Sequence, residues 1–387
     1  MEVAEILRMI PKKLTDKLAE ETGVNHSVQR LRGQVFLDLL LFGLINSERL
    51  STRVMETFYN SKTFDYFSSK DKDHQTRHSS IADRLKVISP DYFKAIFEWA
   101  FDHFFPQFGG TKQAKKLKRY DSTMIKISSA LVDWGMRVGR PPKDRPQQVQ
   151  LKVTLGLKGA FPKEVKVYST QDKLSEENAL YDIIINSSHA PNEIISFDLG
   201  LKSRKSLQTF DKQHIKFVTK GGTNLRYKVL RPHSEDLDED EQTRILQDSI
   251  VQLYADGHKE FKHEFRLVEI EDIASGNTVY FITNILELPA LTIAQIYRHR
   301  WDIEVFFRFI KQELNIKHLL SHSINGIMVQ IYVTLLLAIL LTVYTISNHL
   351  KGYKIPKIKF RDELTFHIIK ELVRAEKILE QKLIPVF

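Results

Sequence analysis

Four residues in the last quarter of the chain combine a carboxylate, two cations and a phenol at regular spacing. Tyr297, Arg300, Glu304 and Lys311 are separated by three, four and seven residues. On a helix that turns about 100° per residue they share one stripe roughly 60° wide, and Arg308 lies close to it. The apolar residues of the same segment fall on a separate face that can pack on a sheet. The stripe is therefore available for polar chemistry.

Spacing alone leaves two interpretations of this stripe open. Carboxylates and cations four or seven residues apart commonly form a ladder of ion pairs on a solvated helix. The cations, however, outnumber the carboxylate, which is expected where a metal-bound phosphate docks. In the second interpretation Glu304 holds the metal ion, and Tyr297, Arg300 and Lys311 hold phosphate oxygens.

The segment YRHRWDIEVFFRFIK, residues 297–311, resembles the Y-x2-R-x3-E-x6-K signature of insertion-sequence transposases of the IS4 family. All four signature residues have the required spacing, and Trp301 and Ile303 also fit. The resemblance implies a ribonuclease H-like DDE catalytic domain that is interrupted by a β-strand insertion. It covers about residues 116–350, and the N-terminal region only loosely.

The resemblance requires two aspartates upstream of the signature. Asp121, in LKRYDSTMIKI, is followed by Ser and Thr as in the family, and Asp198, in IISFDLGLKS, ends an apolar strand shortly before a glycine. Leu199 departs from the pattern, because many relatives carry Arg there, and this removes one phosphate contact. The resemblance thus identifies Asp121, Asp198 and Glu304 as catalytic residues and metal ligands.

What the resemblance implies for activity is metal-dependent cleavage of DNA at the ends of an insertion sequence, followed by strand transfer. Two Mg²⁺ ions are expected as cofactors, with Mn²⁺ able to substitute. The expected partners are double-stranded DNA, as terminal inverted repeats and as target, and a second copy in a homodimer on paired ends. The candidate DNA contacts are Tyr297, Arg300, Trp301, Arg308 and Lys311. No Trp lies in the insertion, so cleavage through a DNA hairpin stays open.

The elements that must position these residues change in type along the chain. Residues 1–110 have helical periodicity without strand signals, which predicts an all-α region with possible binding to the DNA ends. Residues 111–350 predict an α/β domain, a mixed sheet flanked by helices with a β-rich insertion at about 222–288. One helix is expected from Thr292 to Glu313, with Thr292 and Gln295 as a capping box. Residues 351–387 predict a helical tail.

Composition favours a polyanionic partner. The chain has 57 Lys and Arg against 48 Asp and Glu, a net charge of +9, and basic residues cluster from Lys112 to Arg119, which predicts a DNA track beside Asp121. Because the chain has no cysteine, a metal ion must bind to carboxylates or histidines. The N-terminus lacks the apolar core of a secretion signal. We therefore expect a cytoplasmic, nucleoid-associated protein of a prokaryote.

Two alternatives to an active transposase fit parts of the sequence. The segment 331–346 approaches the ~20 apolar residues that a membrane span needs, which would fit a membrane-associated protein. Threonines interrupt it, and a helix that is apolar all round also suits the core of a large protein, so we expect no membrane partner. The other alternative is an inactive relative that binds DNA without cleaving it. Intact Asp121, Asp198 and Glu304 favour the enzyme.

Overall fold

The computed structural model describes residues 1–68, 70–71, 73–128, 134–138, 148–234, 238–254, 260–314, 316 and 318–383. Close contacts divide the chain into two compact units. Unit 1 consists of Met1–Phe108, Lys126–Val132 and Phe307–Phe387, and unit 2 consists of Gly109–Ile125 and Asp133–Phe306. The roles predicted for the three regions of the sequence stay predictions.

Helices predominate at both ends of the chain, and the strands lie in its middle. In chain order, the helices are α1 (Val3–Arg8), α2 (Lys12–Glu21), α3 (Gly33–Asn46), α4 (Thr52–Tyr59), α5 (Lys62–Phe67), α6 (His78–Val87), α7 (Asp91–Phe108), α8 (Glu176–Ile185), α9 (Arg204–Lys212), α10 (Ala290–Arg298), α11 (Trp301–Gln312), α12 (Ile324–Ser347) and α13 (Lys354–Leu383). The strands are β1 (Leu117–Ile127), β2 (Met136–Arg137), β3 (Val149–Lys158), β4 (Phe161–Tyr168), β5 (Ile194–Phe197), β6 (Lys216–Lys220), β7 (Tyr227–Pro232), β8 (Thr243–Tyr254), β9 (Glu260–Asp272) and β10 (Asn277–Thr283).

Helix α12 lies in the core of unit 1. It packs against α3, α6 and α7. The ring centroids of Phe97 and Tyr332 are 6.2 Å apart, and Ser323 Oγ donates a hydrogen bond to the Leu85 carbonyl at 3.0 Å. Of the helices in the described ranges, α12 alone is long and apolar enough to cross a membrane, but its most hydrophobic window is 94% buried. Buried core helices pass the same test of length and composition.

The sheet of unit 2 has ten strands in the order β2-β3-β1-β5-β6-β10-β9-β8-β7, and β4 also pairs with β3. Strand β5 pairs in parallel with β1 on one side and with β6 on the other. In contrast, β4 is antiparallel to β3, and β10 is antiparallel to β6. The mixed sheet predicted from the sequence is confirmed. The strands of the β-rich insertion, β7 to β10, continue this same sheet through the pairing of β10 with β6.

Helices cover both faces of the sheet. Phe217 and Val218 are consecutive in β6, so their side chains point to opposite faces. Phe217 packs in one core cluster with Leu180 of α8 and Phe210 of α9, and Val218 packs in another with Ile293 of α10. The predicted flanking helices are therefore confirmed.

The single long helix predicted from Thr292 to Glu313 is wrong. Arg300 N–H donates to the Tyr297 carbonyl at 2.8 Å, and Ile303 N–H donates to the Arg300 carbonyl at 3.1 Å. These bonds span three residues instead of the four of an α-helix. Helix α10 therefore ends at Arg298, and α11 begins at Trp301. The capping box is also wrong, because α10 begins at Ala290 without a side-chain cap. The stripe drawn from Tyr297 to Lys311 consequently crosses a break.

Candidate active site

Two neighbouring parallel strands bring Asp121 and Asp198 together. In the register of β1 and β5, Arg119 is level with Ser196. Asp198 is the first residue after β5, and the same register extended by two residues sets it opposite Asp121. Level residues on parallel strands project to the same face. The sequence-based prediction that these two carboxylates converge is therefore supported by the strand register itself.

Glu176 is the third carboxylate at this place. It is the first residue of α8, and one oxygen from each of Asp121, Glu176 and Asp198 lies within 4.8 Å of the others. The sequence-based prediction missed Glu176. Its only sequence signal is an acidic residue in the first turn of a predicted helix, and this is common because the N-terminal helix dipole favours negative charge.

The three carboxylates repel one another. Burial raises the pKa of Asp121 to about 7, and the nearby Asp198 and Glu176 add to the rise, while a hydrogen bond from Ser122 N–H and the charge of Arg300 oppose it. Burial, with Asp198, also raises the pKa of Glu176, opposed by Lys152 and Arg300. Burial and neighbouring like charges therefore both disfavour full ionisation of this group.

This donor set fits a hard divalent cation. Three carboxylate oxygens in close proximity are ligands that Mg²⁺ and Mn²⁺ prefer, and the group contains no softer His or Cys ligand. A bound cation would also offset the burial and the charge repulsion that raise the pKa of Asp121. The residues present thus suit the metal that the resemblance implies.

Glu304 lies in the first turn of α11 and is not one of these three carboxylates. Its carboxylate instead accepts a hydrogen bond from Arg300 Nη2. Arg300 in turn acts electrostatically on Asp121 and Glu176. The guanidinium thus pairs with Glu304 and is near enough to the carboxylate group to act on it electrostatically, and the role of Glu304 as a metal ligand stays a prediction.

Arg300 and Tyr297 offer donors beside the carboxylates. Arg300 Nε is buried and has no hydrogen-bond partner within the described residues, and the guanidinium carbon is 5.5 Å from the centre of the Tyr297 ring. Burial raises the pKa of Tyr297, so its phenol remains a neutral hydroxyl. An unused guanidinium donor and a neutral phenol are suited to phosphate oxygens.

The other candidate DNA contacts lie along α11. Trp301 is its first residue and is 53% exposed. Arg308 and Lys311 belong to the part of α11 assigned to unit 1, where Arg308 is exposed and Lys311 Nζ is 5.6 Å from the centre of the Phe307 ring. DNA contacts by these three residues stay predictions.

Two residues of the basic cluster before Asp121 have a structural role. Lys118 is fully buried and its Nζ is 3.0 Å from a Glu193 carboxylate oxygen. Arg119 is 4% exposed and its Nη2 is 3.1 Å from Asp302 Oδ2. Buried and paired, these two side chains are not available to DNA, so the predicted DNA track is wrong for them.

Comparison with known proteins identifies the family. The family model described as "Transposase DDE domain" matches residues 119–341, which is more than half of the chain. The matched segment contains Asp121, Glu176, Asp198 and Glu304.

Individual relatives agree with this assignment. Over 146 residues the chain is 30% identical to "Putative transposase y4zB" of Sinorhizobium fredii (strain NBRC 101917 / NGR234), covering 38% of this chain and 40% of that protein. Over 238 residues it is 26% identical to "Probable transposase for insertion sequence element IS5377" of Geobacillus stearothermophilus, covering 59% of this chain and 56% of that protein. The chain thus spans about half the length of the curated relatives it matches, or less.

A solved structure is also similar. It is a cryo-EM structure of the piggyBac transposase synaptic complex with hairpin DNA, with a TM-score of 0.41 and 10% identity, covering 92% of this chain and 73% of that one. The family match and the named relatives confirm the resemblance seen in the sequence. The chain belongs to the transposase DDE domain family.

Proposed function

We propose that this protein is a DNA transposase that cleaves at the ends of an insertion sequence and transfers the released strands to target DNA. The observation that carries the proposal is the convergence of Asp121, Glu176 and Asp198 within 4.8 Å, inside the segment that matches the transposase DDE domain. Carboxylates at this separation are suited to metal-dependent phosphodiester chemistry.

Each residue has a distinct role in this proposal. Asp121, Asp198 and Glu304 are the catalytic carboxylates and hold two Mg²⁺ ions, for which Mn²⁺ substitutes. When bound, the ions activate the attacking water or hydroxyl and stabilise the leaving oxygen. Arg300 offers a planar fork to a phosphate beside the scissile bond, and Tyr297 offers a neutral hydroxyl.

The partners follow from the same proposal. They are double-stranded DNA, as terminal inverted repeats and as target, and a second copy of the chain, because both ends of an element must be joined together. Trp301, Arg308 and Lys311 extend the DNA contact along α11. The net charge of +9 supports a polyanionic partner. We place the protein in the cytoplasm of a prokaryote, associated with the nucleoid and not with a membrane.

A cleavage assay tests the proposal. The substrate is a plasmid carrying the DNA that flanks the gene, with Mn²⁺ added. Asp121→Ala, Asp198→Ala and Glu304→Ala should each lose cleavage, while gel-shift affinity for the same DNA stays within about threefold, since phosphate anchoring depends mainly on cations. Asp172→Ala is the control, because this carboxylate is 64% exposed and pairs only loosely with Lys173 at 3.8 Å.

Folding of every variant is verified by thermal melting. Retained cleavage in any one of the three variants removes that residue from the catalytic set. A wild-type chain that binds the flanking DNA but does not cut it with Mg²⁺ or Mn²⁺ contradicts the proposal and favours the inactive DNA-binding alternative.

A further inference from the structure

We propose that Glu176 is a fourth carboxylate ligand of the metal site, beside Asp121 and Asp198 and in addition to Glu304. The inference rests on the proposed metal-dependent function and extends it, because neither the signature nor the two aspartate motifs include Glu176. It also gives the first turn of α8 a part in the site.

The Glu176 carboxylate faces two others and, in the part of the chain that the structure describes, lacks a cationic partner of its own. It is partly buried and lies within 4.8 Å of the oxygens of Asp121 and Asp198, yet it has no hydrogen-bond or ion-pair partner within the described residues. Glu304, by contrast, is paired with Arg300. A partly buried carboxylate that faces two others without a partner is costly unless a cation joins them.

Gly200 lies directly against the side chains of Glu176 and Asp198. A Cβ placed on Gly200 would lie 2.6 Å from Glu176 Cγ and 2.8 Å from Asp198 Oδ1, closer than real Cβ atoms approach. Gly200 N–H also donates to Asp198 Oδ1 at 2.8 Å. The absence of a side chain at this position therefore allows both carboxylates to occupy their places, and Gly200 is a positioning residue for the site.

Mn²⁺ binding to the full chain without DNA tests the inference, with free Mn²⁺ measured by electron paramagnetic resonance. Glu176→Gln should raise the Kd for Mn²⁺ at least by the roughly 10–100-fold that the loss of a hydrogen-bond partner supporting a metal ligand costs. Glu177→Gln is the matched control one residue away. The Glu177 carboxylate oxygen accepts from Ser203 N–H at 3.0 Å, and the amide oxygen of Gln can accept the same bond, so its Kd should stay within about twofold of the wild type.

A pair of glycine variants tests the positioning role. Gly200→Ala should also weaken Mn²⁺ binding by about tenfold or more, because its methyl group displaces both carboxylates. Gly222→Ala is the control, since a Cβ there meets nothing closer than Leu199 Cδ2 at 3.8 Å. Thermal melting without metal distinguishes misfolding from ligand loss. Removing one of three repelling charges should leave Glu176→Gln at least as stable as the wild type.

The outcomes separate this inference from the proposed function. Weaker Mn²⁺ binding in Glu176→Gln, with Glu177→Gln unchanged, supports it. Unchanged binding in Glu176→Gln, together with loss in Asp121→Asn, overturns the role of Glu176 and leaves the proposed function in place. A wild-type chain that binds no Mn²⁺ at millimolar concentration overturns both.

Discussion

At the residue scale, Arg300 lies between α10 and α11, and its charge acts on Asp121 and Glu176 of the carboxylate group. One of its nitrogens donates to Glu304, and its Nε is buried without a partner within the described residues. A guanidinium cannot ligate a metal ion, so the unused Nε donor of Arg300 is available to an anionic ligand such as a phosphate oxygen. The proposal that carboxylates bind the metal ions whereas cations bind phosphate can therefore be tested at this one residue.

We predict that Arg300→Lys lowers the rate of DNA cleavage by about 100-fold, as for the loss of one preorganised donor at a developing charge. Lysine keeps the positive charge beside Glu304 but loses the planar fork. The Mn²⁺ concentration that gives half-maximal cleavage should stay the same. Arg374→Lys is the control, since this side chain on α13 is 61% exposed and lysine keeps the charge beside Glu371. A strong rise in the Mn²⁺ concentration for half-maximal cleavage by Arg300→Lys would contradict the separate roles of carboxylates and cations.

The sequence predicts some residues of the site and misses others for a physical reason. Asp198 follows the apolar pattern of β5 and Asp121 lies within β1, and the parallel pairing of these two strands places the two side by side. Glu176 has no such pattern, because its position depends on how α8 packs on the sheet and on the missing side chain of Gly200. A contact that is set by packing leaves no periodic trace in the sequence.

At the element scale, a buried ion network fixes the strands that carry the aspartates. Glu193 precedes β5, and its carboxylate lies 3.0 Å from Lys118 Nζ of β1 and 2.7 Å from Lys158 Nζ of β3. Burial alone would raise the pKa of Glu193, but the neighbouring side chains of His189, Lys158 and Lys118 hold the pKa of this carboxyl well below its usual range. The network thus favours the ionised form in the folded chain.

We predict that Glu193→Gln lowers the free energy of unfolding at pH 7 by about 3 kcal/mol. This is the lower end of the range for a broken buried ion pair, because Lys118 keeps its pairing with Glu164. The sign of the pH effect follows from the lowered pKa. The ionised carboxylate stabilises the fold above its ordinary pKa of about 4.3 and loses this contribution as the pH falls through the folded-state pKa. The wild type should therefore lose more stability on acidification than the variant does.

Urea unfolding at a series of pH values measures both effects. Glu287→Gln is the control, since Glu287 is 55% exposed where it pairs with Lys216, and exposed pairs contribute at most about 1 kcal/mol. A Glu193→Gln variant as stable as the wild type at pH 7 would show that the network does not hold the strands together.

The insertion has a buried ion pair of its own. Arg266 and Asp248 are each 1% exposed in their side chains, and the guanidinium also donates to the carbonyls of Ile285 and Leu288 at 3.0 and 2.6 Å. These two carbonyls precede α10, so the pair connects the insertion strands to the start of the helix that carries Tyr297.

We predict that Arg266→Met costs about 3–5 kcal/mol of unfolding free energy, because it leaves Asp248 charged and buried. The double variant Arg266→Met with Asp248→Leu should recover part of this loss, since it removes the unpaired charge but not the two unsatisfied carbonyls. Urea denaturation of the single and double variants measures the recovery. A double variant less stable than the single one would contradict this account.

The break between α10 and α11 shows a limit of periodicity. No Pro or Gly interrupts residues 292–313, and the apolar pattern continues through them, so the sequence predicts one helix. The structure replaces four-residue hydrogen bonds with three-residue bonds at Arg300. Such a local change costs little backbone energy and preserves the pattern of burial. Pattern alone cannot place it.

At the scale of the whole molecule, the sequence predicts the type of each element better than its partners. The mixed sheet and its insertion follow from strand patterns and turn signals. Helix α12 is apolar on all sides, so no amphipathic face indicates what it packs against. In unit 1 it is surrounded by N-terminal helices that lie more than 200 residues earlier in the chain.

The packing of α12 on these helices determines whether residues 1–110 can fold alone. The sequence-based hypothesis that this region binds DNA ends suggests testing it as an isolated fragment, but α7 would then expose the face that α12 covers. Phe97, 1% exposed in the full chain, would lose its contact with Tyr332.

Since a small helical domain depends on its tertiary core for stability, we predict that the fragment of residues 1–110 melts without a cooperative transition in circular dichroism. A fragment that joins residues 1–108 to 307–387 through a flexible linker should melt cooperatively. A sharp transition in the short fragment would contradict this prediction and show that the N-terminal helices fold without α12; otherwise DNA-end binding has to be measured on the full chain.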